Sequence, residues 1–219
     1  MNLCHSRESG NPGGRLSAAA LDSRFRGKDD NLARGNTVFT IGHSARSVGE
    51  LIALLKEAGI ERLVDVRSVP RSRANPQFNA DALPDPLAAG GIGYTHLAAL
   101  GGLRHHPKGA PVSPNTLWRS DAFRNYANYA MTPAFGAGLD RLCVLAREER
   151  CAIMCAEAVW WRCHRRIIAD YLLARGVAVI HIMGSAKLEP ATQTPGARKL
   201  PDDTILYADL DPENLRGTP

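Results

Sequence analysis

The sequence predicts an α/β fold: a single domain with a mostly parallel sheet flanked by helices on both faces. Three observations predict it. From Thr37 onward, short apolar runs at strand spacing alternate with apolar repeats at helical spacing. The run Cys151 to Cys155 is apolar throughout, the pattern of a strand buried on both faces. A chain of 219 residues with 44% hydrophobic side chains is long enough for one core plus extensions.

The elements follow in order. Residues 1–36 are rich in Gly, Ser, Arg, Asn and Asp, and their one apolar cluster is Leu16 to Leu21. Such a segment buries too little to offset its ordering entropy, so a disordered arm is expected, with the working domain starting at Thr37. The stretches CHSRESGNP and LDSRFRGKDD also resemble a translated interspersed genomic repeat, which makes the arm an expected accidental extension. Val38 to Ile41 reads as a strand stopped by Gly42. Ser47 and Glu50 form a capping box ahead of Val48, Leu51, Ile52 and Leu55, and Gly59 supplies the stop. Leu63 to Val66 is the next strand, 67–79 a loop, Asp81 to Ala89 a short helix and Ile92 to Leu97 a strand.

The stretch 100–119 is long and irregular, the kind of loop that usually serves function or motion. Ser120 is placed to cap a helix carrying Phe123, Tyr126 and Ala130. Thr132-Pro133 opens another, with Phe135, Leu139 and Leu142. Residues 163–175 are helical, and Val177 to Met183 is a second buried strand. The domain is therefore drawn over 37–183. The segment 184–219 holds five prolines and one strand-like run, Ile205 to Ala208, and reads as an extended tail.

Composition excludes several classes. There is no run of about 18 apolar residues, so no membrane-spanning helix is expected. The N-terminus has no apolar export segment. Five cysteines, none in a CxxC pair, fit reduced thiols in the cytoplasm. The net charge of +5 equals that of 37–183 alone, with 17 basic and 12 acidic side chains, because the arm (+2) and the tail (−2) cancel. Of those 17 basic residues, 15 are arginine.

In a parallel sheet the ligand sits at the carboxyl ends of the strands. Four such ends carry unusual polar content. Gly42-His43-Ser44 follows the first strand: Gly42 frees the backbone for a tight turn, and His43 could serve as acid, base or ligand, or equally as a satisfied core residue. Asp65, Arg67, Arg71, Ser72 and Arg73 follow the second; Asp65 is either catalytic or paired with Arg67. Gly101, Gly102 and Arg104 follow the third. With Ser44 and Arg165 they form a candidate anion site, since guanidinium forks suit phosphate or carboxylate and paired glycines let backbone N–H groups approach. No P-loop or dinucleotide fingerprint occurs, and no motif names a cofactor.

The fourth end holds Cys155 and Glu157, then Cys163, His164 and Arg165 at a predicted helix start, where a thiolate or anion is favoured. A nucleophilic thiol, a redox pair, or a metal site built from Cys155, Cys163 and His164 all fit these residues, as does simple burial of two cysteines. Trp160-Trp161 could cover a pocket, stack on a base or only pack. His96 and His181 read as satisfied core residues.

From Thr37 to Met183 the chain resembles a bacterial and archaeal family, domain of unknown function 488. The matching pieces are TIGHS at 40–44, LVDVRSVPRS at 63–72, GIGY at 91–94, LGG at 100–102, FRNYA at 123–127, MCAE at 154–157 and CHRR at 163–166. The resemblance implies an α/β domain, with Gly42, His43, Ser44, Asp65, Arg67, Pro70, Ser72, Cys155, Glu157, Cys163, His164 and Arg165 at motif positions. It implies no reaction. Many relatives carry a proline where this chain has Trp160-Trp161.

The leading expectation is an enzyme acting on an anionic substrate, a phosphorylated small molecule, nucleotide or nucleic acid. In it His43 or Glu157 does acid–base work, Cys155 serves as nucleophile or ligand, and Asp65 is a further catalytic candidate. A nucleic-acid-binding module without turnover comes second and a Cys/His metal protein third. No membrane partner is expected, and no oligomeric state is indicated.

Overall fold

The computed structural model describes residues 36–105, 109 and 111–208. The expectations for residues 1–35 of the arm and for the end of the tail concern residues outside that set.

The chain runs β1 (Thr37–Gly42), α1 (Val48–Glu57), β2 (Arg62–Asp65), α2 (Pro84–Ala89), β3 (Gly93–His96), α3 (Asp121–Ala130), α4 (Pro133–Glu148), β4 (Cys151–Cys155), α5 (Arg165–Ala174), β5 (Ala178–Gly184), β6 (Lys187–Pro190), β7 (Ala197–Lys199) and β8 (Ile205–Tyr207). Six strands form one sheet in the order β3-β2-β4-β1-β5-β6. The first five are parallel, and β6 pairs antiparallel at the edge of β5.

Strand alternation assigns the side chains to two cores. Val38, Val64, Ile153 and Val179 pack against Tyr126 of α3, Phe135, Leu139 and Leu142 of α4 and Ile167, Ile168 and Leu172 of α5. Phe39, Ile41, Leu63, Met154 and Ile180 face the other way, against Leu51 and Leu55 of α1 and Leu87 of α2. This is the expected α/β domain with helices on both faces, and β4 is buried along its whole length.

The capping box forms: Ser47 accepts from the Glu50 backbone, and the Glu50 carboxylate accepts from the Ser47 backbone. Gly59, at φ +66°, ends that helical segment in a conformation that favours glycine. Ser120 and Thr132 occupy N-cap positions, but neither side chain makes a capping bond. Thr132 instead donates to the Tyr129 carbonyl at 2.7 Å, tying α4 back to α3.

The segment beyond Met183 packs onto the domain. β6 extends the sheet, and β7 pairs with β8 as a separate ribbon. Ile205 and Tyr207 are fully buried in the α3–α5 core. Asp170 of α5 anchors them, accepting from Tyr207 Oη at 2.9 Å and from the Thr194 backbone at 2.8 Å. β8 matches the expected strand-like run Ile205 to Ala208, while β6 and β7 went unread among the prolines. No helix among the described residues is long and apolar enough to cross a membrane.

β2 and β4 are neighbours whose chains leave for opposite faces, toward α2 and α5 respectively. A crevice opens between such strands at their carboxyl ends.

Candidate active site

A cleft of about 430 Å³ occupies that crevice. Its wall includes Arg67 and Ser68 after β2, Gly102 and Leu103 after β3, Phe123 and Tyr126 of α3, and Cys155, Glu157, Arg162, Cys163 and His164 after β4.

Its chemical centre is a pair of sulfurs. Cys155 ends β4, and Cys163 follows a single turn of 3₁₀ helix, Trp160–Arg162, just before α5. The two Sγ atoms lie 2.6 Å apart, and both residues are at most 3% exposed. Three groups converge on Cys163: the Cys155 thiol, His164 Nδ1 at 3.5 Å and Arg165 Nε at 3.4 Å. Burial opposes ionisation of Cys163, but the hydrogen bond from Cys155, the His164 ring and the Arg165 charge outweigh it and take the thiol well below its usual range. Burial, reinforced by the hydrogen bond and charge of Cys163, pushes the Cys155 thiol the other way. The groups gathered on Cys163 make it the more acidic thiol of the pair.

The supporting residues are fixed in turn. His164 donates from Nε2 to the Val66 carbonyl at 3.0 Å, leaving Nδ1 toward Cys163, and its ring packs edge-on against Tyr126. Arg165 is 1% exposed and donates to the Glu157 carbonyl at 2.6 Å. Gly42 makes room for that contact: a Cβ there would sit 1.8 Å from the Glu157 carbonyl oxygen and 2.9 Å from the Arg165 guanidinium. Gly101 and Gly102 do the same on the opposite wall. A Cβ on Gly101 would meet Ser68 Cα at 2.7 Å, and one on Gly102 would meet His164 Nδ1 at 2.4 Å. These glycines let the loop close on Ser68 and His164, and the Ser68 hydroxyl accepts from the Leu103 backbone at 2.8 Å.

His43 and Asp65 sit behind Arg67. The Asp65 carboxylate accepts from Arg67 Nε at 2.9 Å, from its terminal nitrogen at 2.5 Å, from its backbone at 3.0 Å and from Tyr94 Oη at 2.9 Å. His43 is 2% exposed, stacks on Phe78 and bonds to the Ser44 carbonyl at 2.8 Å and Arg67 at 3.3 Å. Burial lowers its pKa, the Ser44 carbonyl opposes that, and Arg67 adds to it. The ring is neutral, with both nitrogens engaged. Ser44 extends the β1–β4 ladder, its N–H bonding to the Ala156 carbonyl, and holds a positive φ of 50°.

Other candidates stay away from the sulfurs. Ser72 bonds to Asn75 and Asn79 within its own loop, and Arg71 and Arg73 are exposed. Arg104 lies over the Tyr129 ring at 3.6 Å and donates to the Ala98 carbonyl. Trp160 stacks on His181 of β5, while Trp161 is exposed. Arg162 and Ser68 join the cleft without having been singled out. Only their adjacency to motif residues marked them.

Cys155, Cys163 and His164 bring their donor atoms within 4.8 Å of one another, a set that zinc accepts. Two thiolates on one tetrahedral zinc, each about 2.3 Å from it, stand roughly 3.7 Å apart. The observed 2.6 Å is closer, and the Arg165 guanidinium aims at the sulfur a cation would need. The spacing lies between that of a disulfide, about 2.05 Å, and that of a zinc site.

The family model described as Domain of unknown function DUF488 matches residues 47–172. No curated protein and no solved structure matches the chain.

Proposed function

The chain belongs to the DUF488 family, a membership that carries no reaction with it, and we propose that it is a thiol-dependent enzyme acting on a small anionic substrate. Cys163 is the nucleophile. The observation that carries this is the convergence of Cys155, His164 and Arg165 on the Cys163 sulfur at the wall of the cleft. A thiolate held by a histidine and a cation is the reactive form of cysteine.

The anionic character of the substrate rests on the lining. Arg162 and His164 line the cleft together with one carboxylate, Glu157, while the charge of Arg67 is matched by Asp65 behind it. The dimensions favour a small molecule, since about 430 Å³ lies within the range of small-ligand sites. Glu157 is exposed at the cleft and is placed to move a proton.

Paired alkylation tests this. Iodoacetate and iodoacetamide differ in charge but not in mechanism. Cys163 is expected to react first with both, and to favour iodoacetate relative to a free thiol. Inorganic phosphate should slow the iodoacetate reaction, and Arg162→Glu should remove the preference. A Cys163 that stays unmodified in the folded protein would defeat the nucleophile assignment, and an unchanged preference in the variant would defeat the anion site.

A further inference from the structure

We propose that Cys155 and Cys163 are a reversible dithiol pair, whose closure to a disulfide switches the site off. This rests on the reading of Cys163 as the reactive thiolate and adds a regulation to it.

The geometry carries the proposal. The sulfurs are 2.6 Å apart, so the covalent bond of about 2.05 Å lies a small side-chain rotation away. Both face the cleft, so a small reagent reaches them despite their burial. Among the described residues neither is held by another sulfur: Cys143 and Cys151 are free and sit elsewhere in the fold. Arg165 gives the pair its bias. No carboxylate among the described residues pairs with this buried guanidinium, and its Nε bonds to the Cys163 sulfur. Oxidation removes the negative charge from that sulfur and leaves Arg165 with carbonyl oxygens alone. The reduced form is thereby favoured, which makes the disulfide easy to reduce.

The chemistry balances with a low-molecular-weight disulfide as oxidant. The Cys163 thiolate attacks one sulfur of the reagent, the reagent's S–S bond breaks, and one thiolate leaves. Cys155 then loses its proton to that leaving thiolate and attacks Cys163 Sγ, expelling the second thiolate. Two protein thiols lose two electrons in all, and one small disulfide becomes two thiols. The bonded Cys163 has no thiolate to offer a substrate.

The experiment equilibrates the folded full-length chain with buffers of reduced and oxidised glutathione, followed by acid quenching and peptide mapping. The expected product lacks two hydrogens, maps to the peptides of Cys155 and Cys163, and reverts with dithiothreitol. Cys155→Ser should stall as a mixed disulfide with glutathione on Cys163. Arg165→Gln should close at a more reducing ratio, by about tenfold, the factor one charge-assisted hydrogen bond carries. A wild-type chain that keeps both thiols in every buffer overturns the proposal, as does an Arg165→Gln chain that closes at the wild-type ratio. Alkylation of Cys163 in a matched sample, fully reduced and desalted, separates the two readings. If Cys163 reacts but no disulfide forms, the switch fails alone. If the disulfide forms but Cys163 resists alkylation, the pair stands and the nucleophile assignment fails.

Discussion

Arg165 Nε lies 3.4 Å from Cys163 Sγ, two residues away across the N-terminus of α5. The guanidinium is 1% exposed. It links the site to the sheet, because the same side chain donates to the Glu157 carbonyl that Gly42 lets approach.

Replacing Arg165 therefore moves both chemistry and stability. Arg165→Gln should raise the pH at which Cys163 becomes reactive, since a charge that favours the thiolate is gone. It should also cost about 1.5–3 kcal/mol of stability, the range for a hydrogen bond to a charged group. Alkylation profiles and urea denaturation measure the two effects separately.

Gly42→Ala should be among the most damaging single substitutions. Its Cβ would overlap the Glu157 carbonyl at 1.8 Å. A loss of about 3 kcal/mol is expected, the upper end for overpacking. Gly136, inside α4, has nothing within 4 Å of its would-be Cβ. Gly136→Ala should stabilise by about 0.5–1 kcal/mol through helix propensity. Opposite signs in one denaturation series support the packing described, and equal signs contradict it.

Asp65→Asn tests whether that carboxylate is structural. It is fully buried and accepts from Arg67 and Tyr94. Removing its charge strands the buried Arg67 guanidinium and should cost about 3–5 kcal/mol. Thermal unfolding reads this. Full stability with lost turnover would instead mark Asp65 as catalytic.

His181 predicts acid sensitivity. It is buried, its Nδ1 bonds to Thr40 Oγ1 at 2.7 Å, and its Nε2 has no hydrogen-bond partner among the described residues. Burial first, and the Arg165 charge second, push its pKa down to about 3 from the ordinary 6.5, with Cys163 opposing. As pH falls below 6.5 the unfolded chain takes up a proton that the folded chain refuses until about 3. The stability tied to this ring is thus complete above 6.5, declines between 6.5 and 3, and levels off below. His181→Asn should flatten that part of the pH dependence in denaturation at pH 7, 5.5 and 4. An unchanged slope would show that other groups account for it.

The layout was legible in the sequence where it depended on local pattern. Strand periodicity placed β1 to β5, Ser47 and Glu50 placed α1, and the strand-end rule brought Arg67, Gly102, Cys155, Glu157, Cys163 and His164 to one cleft. What depended on distant partners was not legible. Gly101 and Gly102 read as an anion loop, but their neighbours are Ser68 and His164, far along the chain. His43 read as an acid–base residue, yet Phe78 and Arg67 enclose it. The sequence favoured Cys155 as nucleophile. The donors gather on Cys163 because the 3₁₀ turn before α5 swings it between Cys155, His164 and Arg165. Of the last three strands only β8 was legible, as the run Ile205 to Ala208; β6 and β7 stayed hidden because they are short, and the packing of the segment stayed hidden because its anchor, Asp170, lies on α5.

The pH profile of Cys163 carboxymethylation by iodoacetate, mapped by peptide, tests the central claim most directly. The account predicts modification at Cys163 ahead of Cys155, with a midpoint well below that of a free thiol. Modification of Cys155 first, or a Cys163 midpoint like that of an unfolded cysteine, would contradict it.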